Sequence, residues 1–255
     1  MKVRKLLAAL SALTLTVSAT AGYFPAFIAK AEIRANAAEV SPQAVTAELP
    51  SVASVRISDE DDLKTADGWT YTVESNDESD YVRITGYTGT ATELTVPEKI
   101  DGKPVTAIAE RAFAGNKKLT ALNLGKVQRI GSCIADGCTA LKAITIPKTV
   151  KETGDWSDGC LQGSSIEKVT FEEGIANIPM YVCKNASSVK TVVLPEKEDT
   201  LDGYVIEESA FYGTSLTSIT LPDSLTAIQG SVFEECALLT EIKMGDNVDY
   251  IGDYC

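Results

Sequence analysis

The stretch that decides the fold reads Leu216-Thr217-Ser218-Ile219-Thr220-Leu221-Pro222-Asp223-Ser224-Leu225-Thr226-Ala227-Ile228. Its first half places Ile219 and Leu221 two residues apart, so both side chains point to the same side of a short strand. Pro222 ends this strand, because proline has no N–H to donate to a further ladder. Leu225 and Ile228 then return the chain to the same apolar interior. The stretch predicts one coil of a stacked structure.

Copies of this pattern occupy most of the chain. After a first strand at Glu93-Leu94-Thr95-Val96-Pro97, they begin at Leu119, Leu141, Ile166, Val189, Leu216 and Leu239, with successive starts 22 to 27 residues apart. One copy cannot bury its apolar face alone, whereas stacked copies share a core. The predicted fold is mostly β, a solenoid of short parallel strands with turns or short helical pieces on the other side. The predicted core ladder contains Leu122, Leu124, Ile144, Ile146, Val169, Phe171, Val192, Leu194, Ile219 and Leu221.

The segment before the repeats has a different period. Trp69–Val73 and Tyr81–Thr85 alternate apolar and polar residues, and the turn-forming residues Asn76–Asp80 lie between them. This pattern predicts a β-hairpin, followed by a second turn at Gly86–Thr90.

The repeats resemble the BspA-type leucine-rich repeat family of bacterial surface proteins. The resemblance covers residues 69–255 and rests on the stretch 216–228, on Glu208–Ser215, and on Gly68–Tyr71 and Ile84–Gly89, which look like the N-terminal cap of such arrays. It implies a leucine-rich repeat solenoid with a hairpin cap at residues 69–90, secretion, and adhesion or protein contact.

The N-terminus reads as an export signal. Met1–Lys5 is basic, Leu6–Val17 is apolar, and Ala19-Thr20-Ala21 fits a cleavage site. We therefore assign residues 1–21 to a signal peptide, with later cuts up to residue 37 left open, and predict a secreted or cell-surface protein without membrane insertion after cleavage. An uncleaved anchor over residues 6–29 is the alternative. Residues 22–66 are predicted to be a flexible linker, and residues 67–255 the repeat domain, with about seven repeats and an incomplete last one.

Charge and composition exclude several functions. The chain has 23 Lys and Arg against 36 Asp and Glu, a net charge of −13, and no histidine. A nucleic-acid partner needs clustered cations to replace counterions, so it is excluded. The missing imidazole removes the commonest general base and metal ligand, and only paired carboxylates remain for catalysis. We expect no enzyme activity, no metal and no cofactor.

The cysteines have two interpretations. An exported chain with an even count, here six, normally carries disulfides. The repeat register instead favours buried free thiols, because Cys133, Cys160 and Cys255 take the small slot of Ala112-Phe113 or Ala210-Phe211, and Cys183 takes the Phe slot. If any bridge forms, the expected pair is Cys133 with Cys160, from adjacent coils.

Candidate partner-binding residues are those between the inward-facing strand residues and in the longer loops. The first group is a polar column of Asn123, Thr145, Thr170, Thr220 and Lys243, which a solenoid would align as an extended surface. The second candidate is Trp156, in a loop three residues longer than its counterpart. The competing interpretations are that threonine simply favours strands and that Trp156 packs over a coil edge.

These patterns predict a secreted or surface binding and adhesion module for an extracellular protein or glycan. The alternative is the non-catalytic N-terminal repeat region of a larger secreted enzyme. The last coil is expected to leave its apolar residues uncovered, which predicts that the polypeptide continues or that a partner subunit covers them. These residues are Ile242, Met244, Val248 and Ile251.

Overall fold

The computed structural model describes residues 63–75, 79–196 and 204–255. All regular secondary structure in these ranges is β-strand. In chain order the strands are β1 (Lys64–Ala66), β2 (Trp69–Ser75), β3 (Asp80–Tyr87), β4 (Glu93–Thr95), β5 (Lys99–Ile100), β6 (Lys103–Ile108), β7 (Ala121–Asn123), β8 (Arg129–Ile130), β9 (Ala143–Ile146), β10 (Glu152–Thr153), β11 (Lys168–Phe171), β12 (Thr191–Val193), β13 (Tyr204–Ile206), β14 (Ser218–Thr220), β15 (Leu225–Ile228), β16 (Glu241–Lys243) and β17 (Tyr250–Ile251).

Each repeat begins with a strand of one parallel series. This series comprises β4 and β7, then β9, β11 and β12, and finally β14 and β16, with parallel pairing inside each group. We call the outward side of these strands the strand face. Equivalent residues of neighbouring coils pair with each other, since Thr145 lies opposite Thr170 and Ser218 lies opposite Glu241. The predicted parallel stacking is confirmed.

A second parallel series follows the first around the coil. It runs from β3 through β6 and β8 to β10, and continues further along as β13, β15 and β17. An isolated parallel bridge between Ile178 and Ile206 extends the second part by one position of the preceding coil. Because each coil adds a strand to both series, the apolar side chains between them form one core.

The third side of the coil consists of turns, and no residue there is helical in the described ranges, so the expected short helical pieces are not observed. Arg111, Tyr181, Ser209 and Ser231 repeat a positive φ of 53 to 59° at the same point of successive coils. We call this side the turn face and define it by residues 111–115, 133–137, 159–163, 181–185, 209–213 and 231–235. Coils approach closely here: a Cβ built on Gly159 would lie 2.1 Å from the Lys184 carbonyl oxygen.

The core ladder is largely as predicted. Eight of the ten predicted residues are buried, whereas Val192 and Leu194 are only partly buried. Strand β12 pairs with β11 but has no ladder to β14, which belongs to a separate sheet. The chain between these strands is the longest repeat, so the next coil covers Val192 and Leu194 less completely. At the last described coil Ile242, Met244 and Ile251 are exposed and Val248 is half-buried.

The predicted hairpin is present as β2 and β3, which pair antiparallel, and β3 pairs parallel with β6 of the first coil. Trp69 packs against Tyr87 and Phe113 with ring centroids 5.0 and 6.2 Å apart.

The linker differs from expectation at its end, because residues 64–66 form β1 and pair with β2. The predicted signal segment, its cleavage sites and residues 22–62 lie outside the described residues. In the described ranges, no helix has the length and apolar character to cross a membrane.

All six cysteines are free, and five of them are buried. Cys160 and Cys183 occupy the predicted slots, whereas Cys133 does not. The N–H of Arg111 donates to the Ser132 carbonyl, which places Cys133 opposite Arg111 rather than opposite Ala112. Ile130 pairs with Ile108, and Cys133 follows Ile130 at the same spacing as Arg111 follows Ile108, so Cys133 takes the positive-φ slot, with φ of 53°.

Candidate ligand-binding groove

A groove crosses the strand face between β4 and β11. Its volume is about 680 Å³, within the range of ligand pockets. Neighbouring parallel strands lie about 4.8 Å apart, so four strands span about 14 Å along the stack. Ala121 and Ala143 line the groove and supply its depth, because their methyl groups leave room that a longer side chain would fill.

Polar groups form the floor of the groove in a regular column. Thr95 lies opposite Asn123, and Thr145 lies opposite Thr170 in the next pair of strands. The Asn123 side-chain oxygen accepts the Gly125 N–H at 2.9 Å, which orients its NH₂ group as a donor. Thr145 is exposed and Thr170 is half-buried. The column therefore offers hydroxyl and amide groups at a spacing set by the strands.

Charged side chains follow the rims. On the rim that precedes the strands, Glu167 lies 3.6 Å from Lys142 and 3.2 Å from Lys190, linking three coils. The hydrogen bond from Lys190 and the charges of both lysines lower the pKa of Glu167. On the other rim, Glu172 accepts the Lys148 backbone N–H at 2.8 Å. Exposed ion pairs of this kind contribute little to stability, so the rims chiefly set the local potential.

The structure divides the predicted site residues into three groups. Asn123, Thr145 and Thr170 line the groove together. Thr220 and Lys243 lie opposite one another on β14 and β16 of the same strand face, outside the groove. Trp156 follows β10 on another side of the coil and is 73% exposed, so it does not pack over a coil edge.

Sequence reasoning missed one end of the column and a whole second column. Thr95 belongs to the polar column as its first member. Two residues earlier in each strand lie Glu93, Ala121, Ala143 and Lys168, which also line the groove. The i and i+2 periodicity that identified the first column was also sufficient to find the second column. The alanines in the second column were the sequence signal that the groove is deep there.

The groove can bind by hydrogen bonds and shape, and its chemistry is limited to hydroxyl, amide, carboxylate and ammonium groups. Its lining includes Glu93, Glu172 and Lys168. In the described ranges no group of three or more Cys, Asp and Glu side chains is arranged to hold a metal ion.

Fold and groove together define a parallel β-solenoid of the leucine-rich repeat class, with about seven turns and an open polar surface on its strand side. The family described as BspA type leucine rich repeat region matches residues 106–206 and 204–255 in six copies. The chain belongs to this family.

Solved structures of similar proteins are bacterial leucine-rich repeat proteins. A leucine-rich repeat protein from Eubacterium ventriosum is 24% identical with a TM-score of 0.53, over 72% of this chain and 48% of that one. A leucine rich cell surface protein from Faecalibacterium prausnitzii is 27% identical with a TM-score of 0.43, over 72% and 57% of the two chains. The T. pallidum Leucine Rich Repeat protein is 22% identical with a TM-score of 0.43, over 74% and 85%. The chain thus spans about half the length of the first two relatives. No curated protein matches the chain.

Proposed function

We propose that the protein is a secreted or cell-surface binding module that presents its strand-face groove to an extracellular protein or glycan. The groove between β4 and β11 carries this proposal, because it joins a 680 Å³ concavity to a regular column of hydrogen-bonding groups. Solenoids use such extended surfaces for binding. The export pattern of residues 1–21 supports the location.

We further propose that the module is non-catalytic. The sequence contains no histidine, and the hydroxyls in the groove have no imidazole beside them to act as a base. The three charged groove residues Glu93, Lys168 and Glu172 surround neutral hydroxyl and amide groups. This composition suits recognition of a neutral, hydrogen-bonding ligand more than bond cleavage.

The test is a binding panel of immobilised extracellular matrix proteins and glycans, probed with the wild-type protein and two variants. Ala143→Tyr fills the groove, whereas Ser218→Tyr makes the same change at the equivalent strand position outside it. A ligand of the groove should bind Ala143→Tyr about tenfold more weakly, since a blocked central contact costs about 1.4 kcal/mol or more. Ser218→Tyr should bind within about twofold of wild type. Equal binding by all three proteins would reject the groove as the site.

A further inference from the structure

A second feature lies on the turn-face side, where Trp156 is exposed to solvent on a loop with several internal hydrogen bonds. One Asp155 carboxylate oxygen accepts hydrogen bonds from the Ser157 N–H at 2.8 Å, the Asp158 N–H at 2.9 Å and the Ser157 hydroxyl at 2.7 Å. The other Asp155 oxygen accepts from Ser132 at 3.2 Å. These bonds hold the backbone on both sides of Trp156, so a contact made there costs less chain entropy than one made by a loop without them.

Two tyrosines and a lysine adjoin this loop. The Lys184 ammonium donates a hydrogen bond to the Trp156 carbonyl. The same ammonium lies 5.1 Å from the centre of the Tyr181 ring and 5.6 Å from that of Tyr212. We call Trp156, Tyr181, Tyr212 and Lys184 the aromatic platform. The chain itself thus places a cation over these rings, as expected from the negative face of an aromatic ring.

The surroundings of the platform carry negative charge. Burial, followed by the charges of Glu208 and Asp155, raises the pKa of the Tyr181 hydroxyl. Burial and the charges of Glu235 and Glu234 likewise raise the pKa of Tyr212. Four carboxylates therefore act on two rings that have one ammonium between them. An approaching cation is attracted, and an approaching anion is repelled.

We infer that the aromatic platform is a second interaction surface, which binds a segment of a partner protein carrying arginine or lysine beside apolar side chains. Charge complementarity selects this partner, because the four carboxylates around the platform and the whole chain, at −13, are negative. A neutral glycan would need free acceptors, whereas the Asp155 oxygens already accept four bonds within the chain. None of the platform residues lines the strand-face groove, so the inference goes beyond the proposed function and stands apart from it.

Tryptophan fluorescence and calorimetry test this inference, because the chain has two tryptophans and Trp69 is buried. The probes are a short peptide with two arginines flanked by leucines, its citrulline counterpart, which has the same shape without charge, and a neutral glucose hexamer. The arginine peptide should change Trp156 emission and bind about fivefold more tightly than the citrulline peptide. Trp156→Ala should weaken binding of the arginine peptide by about the same factor.

A matched control separates the platform from general attraction to an acidic protein. Tyr250→Ala removes another exposed aromatic side chain, on β17 of the second strand series, and should leave binding of the arginine peptide unchanged. Equal binding of the arginine and citrulline peptides would overturn the inference. Unchanged binding of the arginine peptide by Trp156→Ala would overturn it as well. If the wild-type protein binds the glucose hexamer and Trp156→Ala does not, the platform is a glycan site and the inference is also wrong.

Discussion

The strand face and the turn face are built from the same repeats and present different chemistry. On the strand face, equivalent residues line up from coil to coil, so Thr145 meets Thr170 and Ala143 lies opposite Lys168. On the turn-face side, an insertion holds one exposed indole, Trp156, above the coils. Repetition therefore makes a long shallow surface suited to an extended partner, whereas a departure from the repeat presents a single exposed aromatic side chain.

The largest expected effect is the difference in stability loss between a buried residue and an exposed residue of the same strand. Ile219→Asp places an unpaired charge in a core shared with neighbouring coils, so it should lower the free energy of unfolding by about 4 kcal/mol or more. Thr220→Asp, one residue later and exposed, should cost less than about 1 kcal/mol. Urea denaturation followed by circular dichroism gives both values. Similar losses in the two variants would contradict the assigned strand register.

The thiols provide the next contrast, between buried and exposed positions. Cys183 is fully buried, and burial raises the pKa of its thiol well above the ordinary value. Cys183→Ser should destabilise by about 1–3 kcal/mol, because it places a more polar hydroxyl in an apolar slot. Cys255→Ser, at an exposed site, should change stability by less than about 0.5 kcal/mol.

Alkylation checks the same assignment without mutation. Iodoacetamide should label Cys255 first in the folded protein, since the thiolate is the reactive species and burial raises the pKa of Cys160 and Cys183. In the unfolded, unreduced protein all six cysteines should be labelled, as read by mass. Four labels or fewer would indicate a disulfide, with Cys133 and Cys160 the expected pair.

A smaller effect is expected in the hairpin, where Glu74 accepts hydrogen bonds from Tyr81 at 2.5 Å and Arg83 at 2.9 Å. Burial alone would raise the pKa of Glu74, but these bonds and the charges of Arg83 and Arg129 outweigh it and lower the pKa. The resulting stability is present above the ordinary pKa of 4.5 and is lost as pH falls below it.

Glu74→Gln tests this pH dependence. The pair is about one-third exposed, so the variant should lose at most about 1 kcal/mol at pH 7 and should lose less stability than wild type on acidification below pH 4.5. Glu93→Gln, exposed on β4, is the control and should differ from wild type by less than about 0.5 kcal/mol. Parallel acid profiles for Glu74→Gln and wild type would refute the assignment.

The smallest effect on stability is expected for Trp156. Because its side chain is mostly in water, Trp156→Ala should change the free energy of unfolding by less than about 0.5 kcal/mol. Trp69 is buried against Tyr87 and Phe113, so Trp69→Ala should lower the free energy of unfolding by about 3–5 kcal/mol. Thermal denaturation compares the two. A large loss in Trp156→Ala would mean that the indole is retained for packing.

Periodicity predicted the repeated strands and their shared core, whereas local sequence details determined the groove and the position of Cys133. The spacing of Ile219 and Leu221 was sufficient to predict strand, face and stacking. The groove was harder to foresee, because it depends on which coils place Ala121 and Ala143 next to one another on the strand face. Cys133 was misplaced because the small residue was aligned with Ala112 by residue type, whereas counting from the paired residues Ile108 and Ile130 aligns Cys133 with Arg111.

Insertions escaped prediction for a related physical reason. The repeat pattern shows that residues are inserted around Trp156 but not where they go. The path is set by long-range bonds, such as Ser132 to Asp155 and Lys184 to the Trp156 carbonyl. Similarly, Val192 matched the core pattern, and its partial exposure follows from the missing ladder between β12 and β14.

Photo-crosslinking to the partner recovered from the binding panel tests the central claim most directly. Benzoylphenylalanine is placed at Thr120, an exposed groove-lining residue just before β7, in one variant and at Ala114, in the turn face, in another. If the groove is the binding surface, the partner crosslinks at position 120 and not at position 114, and unlabelled partner competes the product away. Crosslinking at position 114 with none at position 120 would contradict the proposal that the strand face binds the partner.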